Sequence, residues 1–293
     1  MRDWLISVPV WGERYVRIFR DATLPALKNA LARIKTSFSL VIHTDSPEEL
    51  RAILGDINVV LKPVPGPDKS FCSMSNAHRE VLNTAHYGQM ISLLTSDLIV
   101  SPEAFVTCER KFREGYLLIC CAGMRACEEE LPPLFNTGVE LLSWGWEHRH
   151  PMTQESTWPD GKSYDIWRMY FTDGDNVVCR LALPHPFALI RDNRTITFSP
   201  TIDVNVISNF RLKEIYLSTE PNEVSMVELS PKEKEFLYTE SMQKRFITKG
   251  PSCPSFVKIV NPFHRYMLQK RIKIKGLSNL CGDETVINRF IEG

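Results

Sequence analysis

The sequence predicts an α/β protein: a mostly parallel sheet flanked by helices, followed by a mixed α+β C-terminal half. Three observations carry this. Strand-length apolar segments alternate with helix-period segments as far as residue 125. The strand segments are nearly continuous in apolar residues, the pattern of strands buried on both faces. Beyond residue 125 the alternation gives way to short apolar runs punctuated by turn signals.

Taken in order, residues 4–10 read as a buried strand, and Trp11-Gly12 breaks it before a long helical pattern. Leu24, Leu27, Leu31 and Ile34 recur at spacings of three and four, one buried helix face, with Thr23 as the expected cap and Pro25 in the first turn. A second strand, 38–43, ends in Thr44-Asp45-Ser46, and Ser46-Pro47-Glu48-Glu49 opens a short helix with acids at its positive end. A third strand (57–61), a helix (72–86), an apolar run (90–101), a helix (102–113) and a strand (116–122) follow. Thr137 and Glu140 form a capping box for a helix that stops before Pro151. Short strands fill 164–218, and Ser230-Pro231 starts a helical last third. The expected organisation is a nucleotide-sugar-binding α/β half, 1–125, continuous with an acceptor-binding mixed half, 126–293.

The chain has 293 residues, 35 basic and 35 acidic, with 43% hydrophobic and 24% charged residues. That is an ordinary globular composition with no excess charge for gripping nucleic acid over its whole surface. The neutrality is a cancellation. Residues 231–276 hold eleven Lys or Arg against three Glu, so an acidic body is joined to a basic segment that could meet phosphate or an anionic lipid surface. No signal peptide is readable at the start, and no apolar run approaches the roughly 18 to 20 residues that span a bilayer. Eight cysteines without a CxxC read as reduced, mostly buried thiols. The expected location is cytoplasmic, with peripheral contact at the inner membrane surface through 231–276.

In an open α/β sheet, ligands bind beyond the carboxyl ends of the strands, where strand order reverses. The strand-end residues are therefore the candidates: Pro9-Val10-Trp11-Gly12, Thr44-Asp45-Ser46, Thr95-Ser96-Asp97 and Gly123-Met124-Arg125. Neither GxGxxG nor GxxxxGK[ST] occurs, which disfavours a dinucleotide dehydrogenase and a P-loop NTPase. Asp173-Gly174-Asp175 spells a DxD, but two runs of strand formers flank it, and it reads as a hairpin turn. His148 and His150 have metal-like spacing only on a strand; at a helix end their rings diverge.

Residues 1–125 resemble the nucleotide-sugar-dependent glycosyltransferases of the GT-A type. The resemblance rests on Ser7-Val8-Pro9-Val10-Trp11-Gly12 after the first strand, Ile42-His43-Thr44-Asp45 at the end of the second, and the strand running into Thr95-Ser96-Asp97. It implies that Trp11 and Asp45 hold the nucleoside, and that Asp97, in the DxD position, holds the diphosphate through Mn²⁺ or Mg²⁺. Thr95 stands where the first acid of the DxD would be. Arginines such as Arg125 are the alternative means of neutralising the phosphates. His185, in Leu183-Pro184-His185-Pro186, and Asp203, in Pro200-Thr201-Ile202-Asp203, are candidates for the base that takes the acceptor proton.

Each candidate also has a plain structural reading: Asp45 as an N-cap, Asp97 as a turn or cap residue, Trp11 as a core plug, Arg125 as a structural arginine, and His185 and Asp203 as turn residues. Two other functions share the sheet. A sugar nucleotidyltransferase would be expected to show a Gly-rich loop with a basic residue after the first strand, which Val10-Trp11-Gly12-Glu13 does not. A non-catalytic nucleotide- or glycan-binding protein on a degenerate transferase scaffold is favoured by Thr95. The expected partners are a nucleotide-sugar donor and a glycan, lipid-linked or other acceptor, with no nucleic acid.

Overall fold

The computed structural model describes residues 3–64, 71–151, 153, 168–173, 176–181, 184–197, 206–233 and 266–275. In chain order the elements begin with β1 (Trp4–Ser7), α1 (Glu13–Ile18), a π-helical turn (Phe19–Thr23), α2 (Leu24–Leu31), β2 (Phe38–Thr44), α3 (Pro47–Leu54) and β3 (Val59–Pro63). Next come α4 (Phe71–Thr84), β4 (Met90–Leu93), β5 (Leu98–Val100), α5 (Ala104–Arg113), β6 (Leu118–Cys121), β7 (Gly123–Cys127) and α6 (Gly138–Glu147). The remaining strands are β8 (Arg168–Asp173), β9 (Asn176–Leu181), β10 (His185–Ile190), β11 (Ile215–Leu217), β12 (Met226–Ser230) and β13 (Ile272–Lys275).

Seven strands form the main sheet in the order β11-β6-β10-β4-β1-β2-β3. β1 pairs in parallel with β2 and β4, β2 with β3, and β6 with β11, while β10 runs antiparallel to both neighbours. The sheet is thus mostly parallel, flanked by helices, and it takes strands from both sides of residue 125. Two three-stranded sheets complete the fold, β5-β12-β7 and β13-β9-β8. The pairing of Asp173 with Asn176 makes β8 and β9 the arms of the expected hairpin.

Alternate residues of the main strands face two cores. Trp4, Ile6, Leu40, Ile42 and Ile119 pack with α2 and α5 on one face, where Trp4 meets Phe105 edge-on at 5.0 Å. Ile91, Leu93, Leu118, Cys120 and Leu189 lie on the other face with Leu82 of α4 and Leu141, Leu142 and Trp146 of α6. Burying a side chain of this size is worth about 1.5–3 kcal/mol, so the two faces supply much of the drive to fold.

Several boundaries differ from the sequence expectation. The apolar run 90–101 is two strands in different sheets, β4 and β5, parted at Thr95-Ser96-Asp97. Thr23 does not cap a helix. Residues 13–31 form one continuous rod, and the Thr23 hydroxyl donates instead to the Ser96 carbonyl at 2.7 Å. The wide π-turn directly precedes Pro25, whose ring would press on the carbonyl four residues back in a regular α-helix. Part of the last third is strand and not helix: Ile272 and Ile274 of β13 are buried against β9, with Lys273 exposed between them. Ser230 does not start a helix: it ends β12, and residues 231–233 after it are not helical. Residues 234–265, and all of 151–163 but 151 and 153, lie outside the described residues.

α6 begins as expected, with Thr137 Oγ1 accepting the Glu140 amide at 3.2 Å, although the Glu140 carboxylate reaches back to the Asn136 amide rather than to Thr137. Its first turn seats on the turn before β12. Val139 N–H donates to Asn222 Oδ1, and a Cβ at Gly138 would stand 1.8 Å from the Pro221 carbonyl oxygen. The obstacle is backbone, so Gly138→Ala must displace the helix. It is expected to cost roughly 3 kcal/mol, the upper end for overpacking, read as a lowered urea midpoint at unchanged slope.

Candidate functional site at the strand ends

Strand order reverses between β1 and β4: the chain steps outward from β1 to β2 and β3, then returns to β1's other side. The crevice beyond their carboxyl ends is where an open α/β sheet receives ligands. Hydrogen bonds shape the loops that line it. Val8 N–H donates to the Val41 carbonyl, Val10 N–H to that of His43 and Leu94 N–H to that of Ser7, so the exits of β1, β2 and β4 are stitched together.

Gly12 closes the first loop with φ +76°, a conformation that favours glycine, and its amide donates to both Asp45 carboxylate oxygens at 3.1 Å. Asp45 is exposed and does not cap α3; the N-cap position belongs to Ser46. Its carboxylate instead joins the loops after β1 and β2. Trp11 is half-buried in the same loop.

Asp97 sits where the chain passes from the main sheet into β5. The Thr95 hydroxyl donates to Asp97 Oδ1 at 2.5 Å, and the Leu229 amide of β12 donates to the Asp97 backbone carbonyl at 2.9 Å. Thr95, in the position of the missing first acid, therefore orients the acid that is present. Burial, and next the charge of Glu228, raise the Asp97 carboxyl to about 6, against the Thr95 hydrogen bond and Arg14. Asp97 keeps some surface, but protein packs densely behind it and water does little to screen its neighbours.

Cations surround these acids. Arg125 of β7 bonds Glu228 Oε1 at 2.5 Å. Arg14, in the first turn of α1, holds buried Glu128 through Nε at 3.1 and 2.8 Å, and Arg17 adds a contact at 3.3 Å. Tyr15 lies near enough to Asp97 that burial, and then that carboxylate, raise its phenol.

A second group lies on the α4 face of the same edge. Because β10 is antiparallel, its first residue, His185, pairs with Cys121 at the carboxyl end of β6. His78 of α4 is fully buried and shares a 2.9 Å hydrogen bond with Ser7 Oγ. Burial, then the nearby His43 and His185, lower its pKa to about 3, so it stays neutral. His43 Nε2 is 3.0 Å from Glu80 Oε2, and Glu80 also pairs with Lys62. His148 and His150 have separate partners, Glu130 and the Pro231 carbonyl.

Two groups result: Asp45 joins the Trp11 loop through the Gly12 amide, and Asp97 feels the charges of Glu228 and Arg14, with Arg125 on Glu228. Arg125 is not the strand-end residue expected, since it stands in the middle of β7 opposite Glu228 of β12, and His185 pairs at the carboxyl end of β6. Asp203 is outside the described residues. The sequence reading missed Arg14, Tyr15, Glu128, Glu228 and His78. Arg14 had a local signal, a basic residue one position beyond Gly12-Glu13 at the first helix start, whereas Glu228 reaches Asp97 only through the pairing of β12 with β5. Among the described residues no group of three or more His, Cys, Asp or Glu could hold a metal ion. The single Asp97 carboxylate fits a Mg²⁺ or Mn²⁺ held chiefly by diphosphate oxygens, and does not fit an all-protein cage. No helix among these residues is long and apolar enough to cross a membrane.

No family model and no curated protein matches the sequence. Partial likenesses to solved structures exist. TarS of S. aureus aligns over 44% of this chain and 23% of its own, at 14% identity and a TM-score of 0.35. A putative nucleotide-diphospho-sugar transferase of Desulfovibrio desulfuricans G20 aligns over 42% and 59%, at 16% identity and 0.29. 4-Diphosphocytidyl-2C-methyl-D-erythritolsynthase of Anaerococcus prevotii aligns over 80% and 92%, at 12% identity and 0.39. This chain spans less than two thirds of the length of the first two. At such scores the likenesses assign no activity, and the α/β fold stands on the strand order described above.

The raised Asp97 pKa fixes a sign. A carboxyl that binds its proton more tightly folded than unfolded opposes folding most where it is ionised in both states, above about pH 6, and not at all well below 3.8. Asp97→Asn is therefore expected to stabilise the protein by roughly 1–3 kcal/mol at pH 8. The gain should shrink as the pH falls below 6 and vanish well below pH 3.8, as followed by urea unfolding across that range.

Proposed function

We propose that this chain is a glycosyltransferase that moves a sugar from a nucleotide-sugar donor to an acceptor hydroxyl. The reading is carried by one observation: Asp97, oriented by Thr95, stands at the exit of β4, beside the reversal of strand order. Departure of a nucleotide leaving group puts negative charge on its phosphate oxygens, and the catalyst must meet that charge with cations already in position. A divalent ion, when bound, would supply this as a Lewis acid on the diphosphate, with Asp97 as its protein ligand.

The chain's own residues supply the rest. Arg125, with Arg14 beside Asp97, would take phosphate oxygens directly, and Glu228 and Glu128 hold the two guanidinium groups until a phosphate competes for them. Trp11 would stack on the nucleoside, and Asp45, already joined to the Gly12 amide, would hold its base or ribose. His185 or Asp203 would accept the proton of the acceptor hydroxyl. Residues 1–125 would then serve mainly the donor and 126–293 the acceptor, with residues 231–276 as a peripheral contact for a lipid-linked one.

The test is a melting-temperature screen with UDP-, GDP-, CMP- and TDP-sugars, with and without Mn²⁺, followed by product analysis. One donor is expected to raise the melting temperature, and Asp97→Ala to weaken its binding at least ten-fold and to stop turnover. Release of the nucleotide with transfer of the sugar marks glycosyl transfer; consumption of added pyrophosphate to give a nucleoside triphosphate and a sugar 1-phosphate would point to nucleotidyl transfer. Stabilisation without any turnover, unaffected by Asp97→Ala, would leave a binding protein. No stabilisation by any nucleotide would sink the transferase reading.

A further inference from the structure

The edge of the main sheet opposite Asp97 carries an open depression of about 420 Å³. Its walls come from three connections. Tyr87 lies in the turn between α4 and β4, Asp192, Asn193 and Arg194 follow β10, and Asn209, Arg211 and Glu214 precede β11. Because β10 is antiparallel, its last residues meet the amino ends of β4 and β6 here, with the amino end of β11 beside that of β6, far along the strands from the crevice.

The wall is held in place before any ligand arrives. Arg194 Nε bonds Asp192 Oδ1 and Oδ2 at 3.0 and 2.7 Å, and its Nη1 reaches Glu214 Oε2 at 3.1 Å and the Asn209 carbonyl at 2.8 Å. Its guanidinium lies 4.4 Å over the Phe210 ring. Gly88, at φ +83°, donates to the Arg191 carbonyl at 2.7 Å and so fixes the turn that presents Tyr87. Tyr87 itself is 72% exposed, a large aromatic surface left in water beside a concave polar wall.

The charges decide the class of ligand. Two arginines and two carboxylates line the depression, so an anion or a cation gains no net attraction from it. What the wall offers is planar groups that donate and planar groups that accept, next to one flat ring. A pyranose matches both: its C–H face covers an aromatic ring, and its vicinal hydroxyls, each donor and acceptor, span carboxylate and guanidinium or amide pairs. The volume suits one or two sugar residues.

We propose that this depression binds a neutral carbohydrate, separately from the strand-end crevice. Tyr87 is the stacking platform, and Asp192, Asn193, Arg211 and Glu214 take the hydroxyls. The assignment does not depend on glycosyl transfer at the other edge.

Saturation-transfer NMR and titration calorimetry with maltotriose, cellotriose, mannotriose and N,N′,N″-triacetylchitotriose test it. At least one is expected to show transfer to its ring C–H protons. Its dissociation constant should rise at least ten-fold in Tyr87→Ala and in Arg211→Ala, and stay within two-fold in Tyr87→Phe and in Asp97→Asn. Both substituted side chains are exposed, and an unchanged melting temperature checks the fold of each variant. Failure of all four sugars to bind overturns the proposal, as does binding that survives Tyr87→Ala and Arg211→Ala. Loss in Asp97→Asn instead would move the sugar to the crevice and equally overturn it. Binding that persists in a protein stabilised by no nucleotide would uphold this site while refuting the transferase reading.

Discussion

Charges gathered at the end of a buried sheet must be balanced, and that constraint governs the strand-end region. Glu228 lies close enough to Asp97 for its charge to resist the ionisation of Asp97, and Glu128 is almost wholly buried. Unpaired carboxylates in that setting would each cost several kcal/mol. Arg14, Arg17 and Arg125 come from α1 and β7 to meet them. The positions of α1, β7 and β12 are thus tied to one another by charge as well as by packing.

β10 does the corresponding geometric work. Inserted antiparallel between β4 and β6, it carries one end of its segment to the crevice edge, as His185, and the other to the opposite edge, as Asp192 to Arg194. The sheet's two functional candidates are thereby connected by six residues of a single strand. On the crevice side, Ser7 of β1 is joined by a hydrogen bond to His78 of α4, which burial keeps neutral. That bond ties α4 to the exit of the first strand.

Much of the framework was legible in sequence because it depends on local periodicity. The apolar runs at 4–10, 38–43 and 116–122, the helix pattern from Leu24 to Leu31, and the Thr137 cap each state their own structure. Thr95-Ser96-Asp97 and Asp45 were legible as strand ends for the same reason. What escaped is non-local. Nothing near Thr23 announces that its hydroxyl will meet a carbonyl 73 residues later, since a Thr before Leu-Pro reads equally as a cap. Glu228 and Glu128 join the site only through sheet pairing and a distant arginine. The split of the run 90–101 between two sheets is hidden because both halves are equally apolar.

The insertion of β10 also bears on how the chain is made. β4 and β6 are synthesised well before the strand that pairs with both of them, so their facing edges carry unsatisfied backbone groups while residues 122–184 emerge. At translation rates of about 5 to 20 residues per second, that interval lasts roughly 3 to 13 s. Bare, apolar strand edges are templates for pairing with other chains. The nascent N-terminal half therefore passes through a period in which it is vulnerable to association with its neighbours on the same message, and a chaperone that shields it would act in that window.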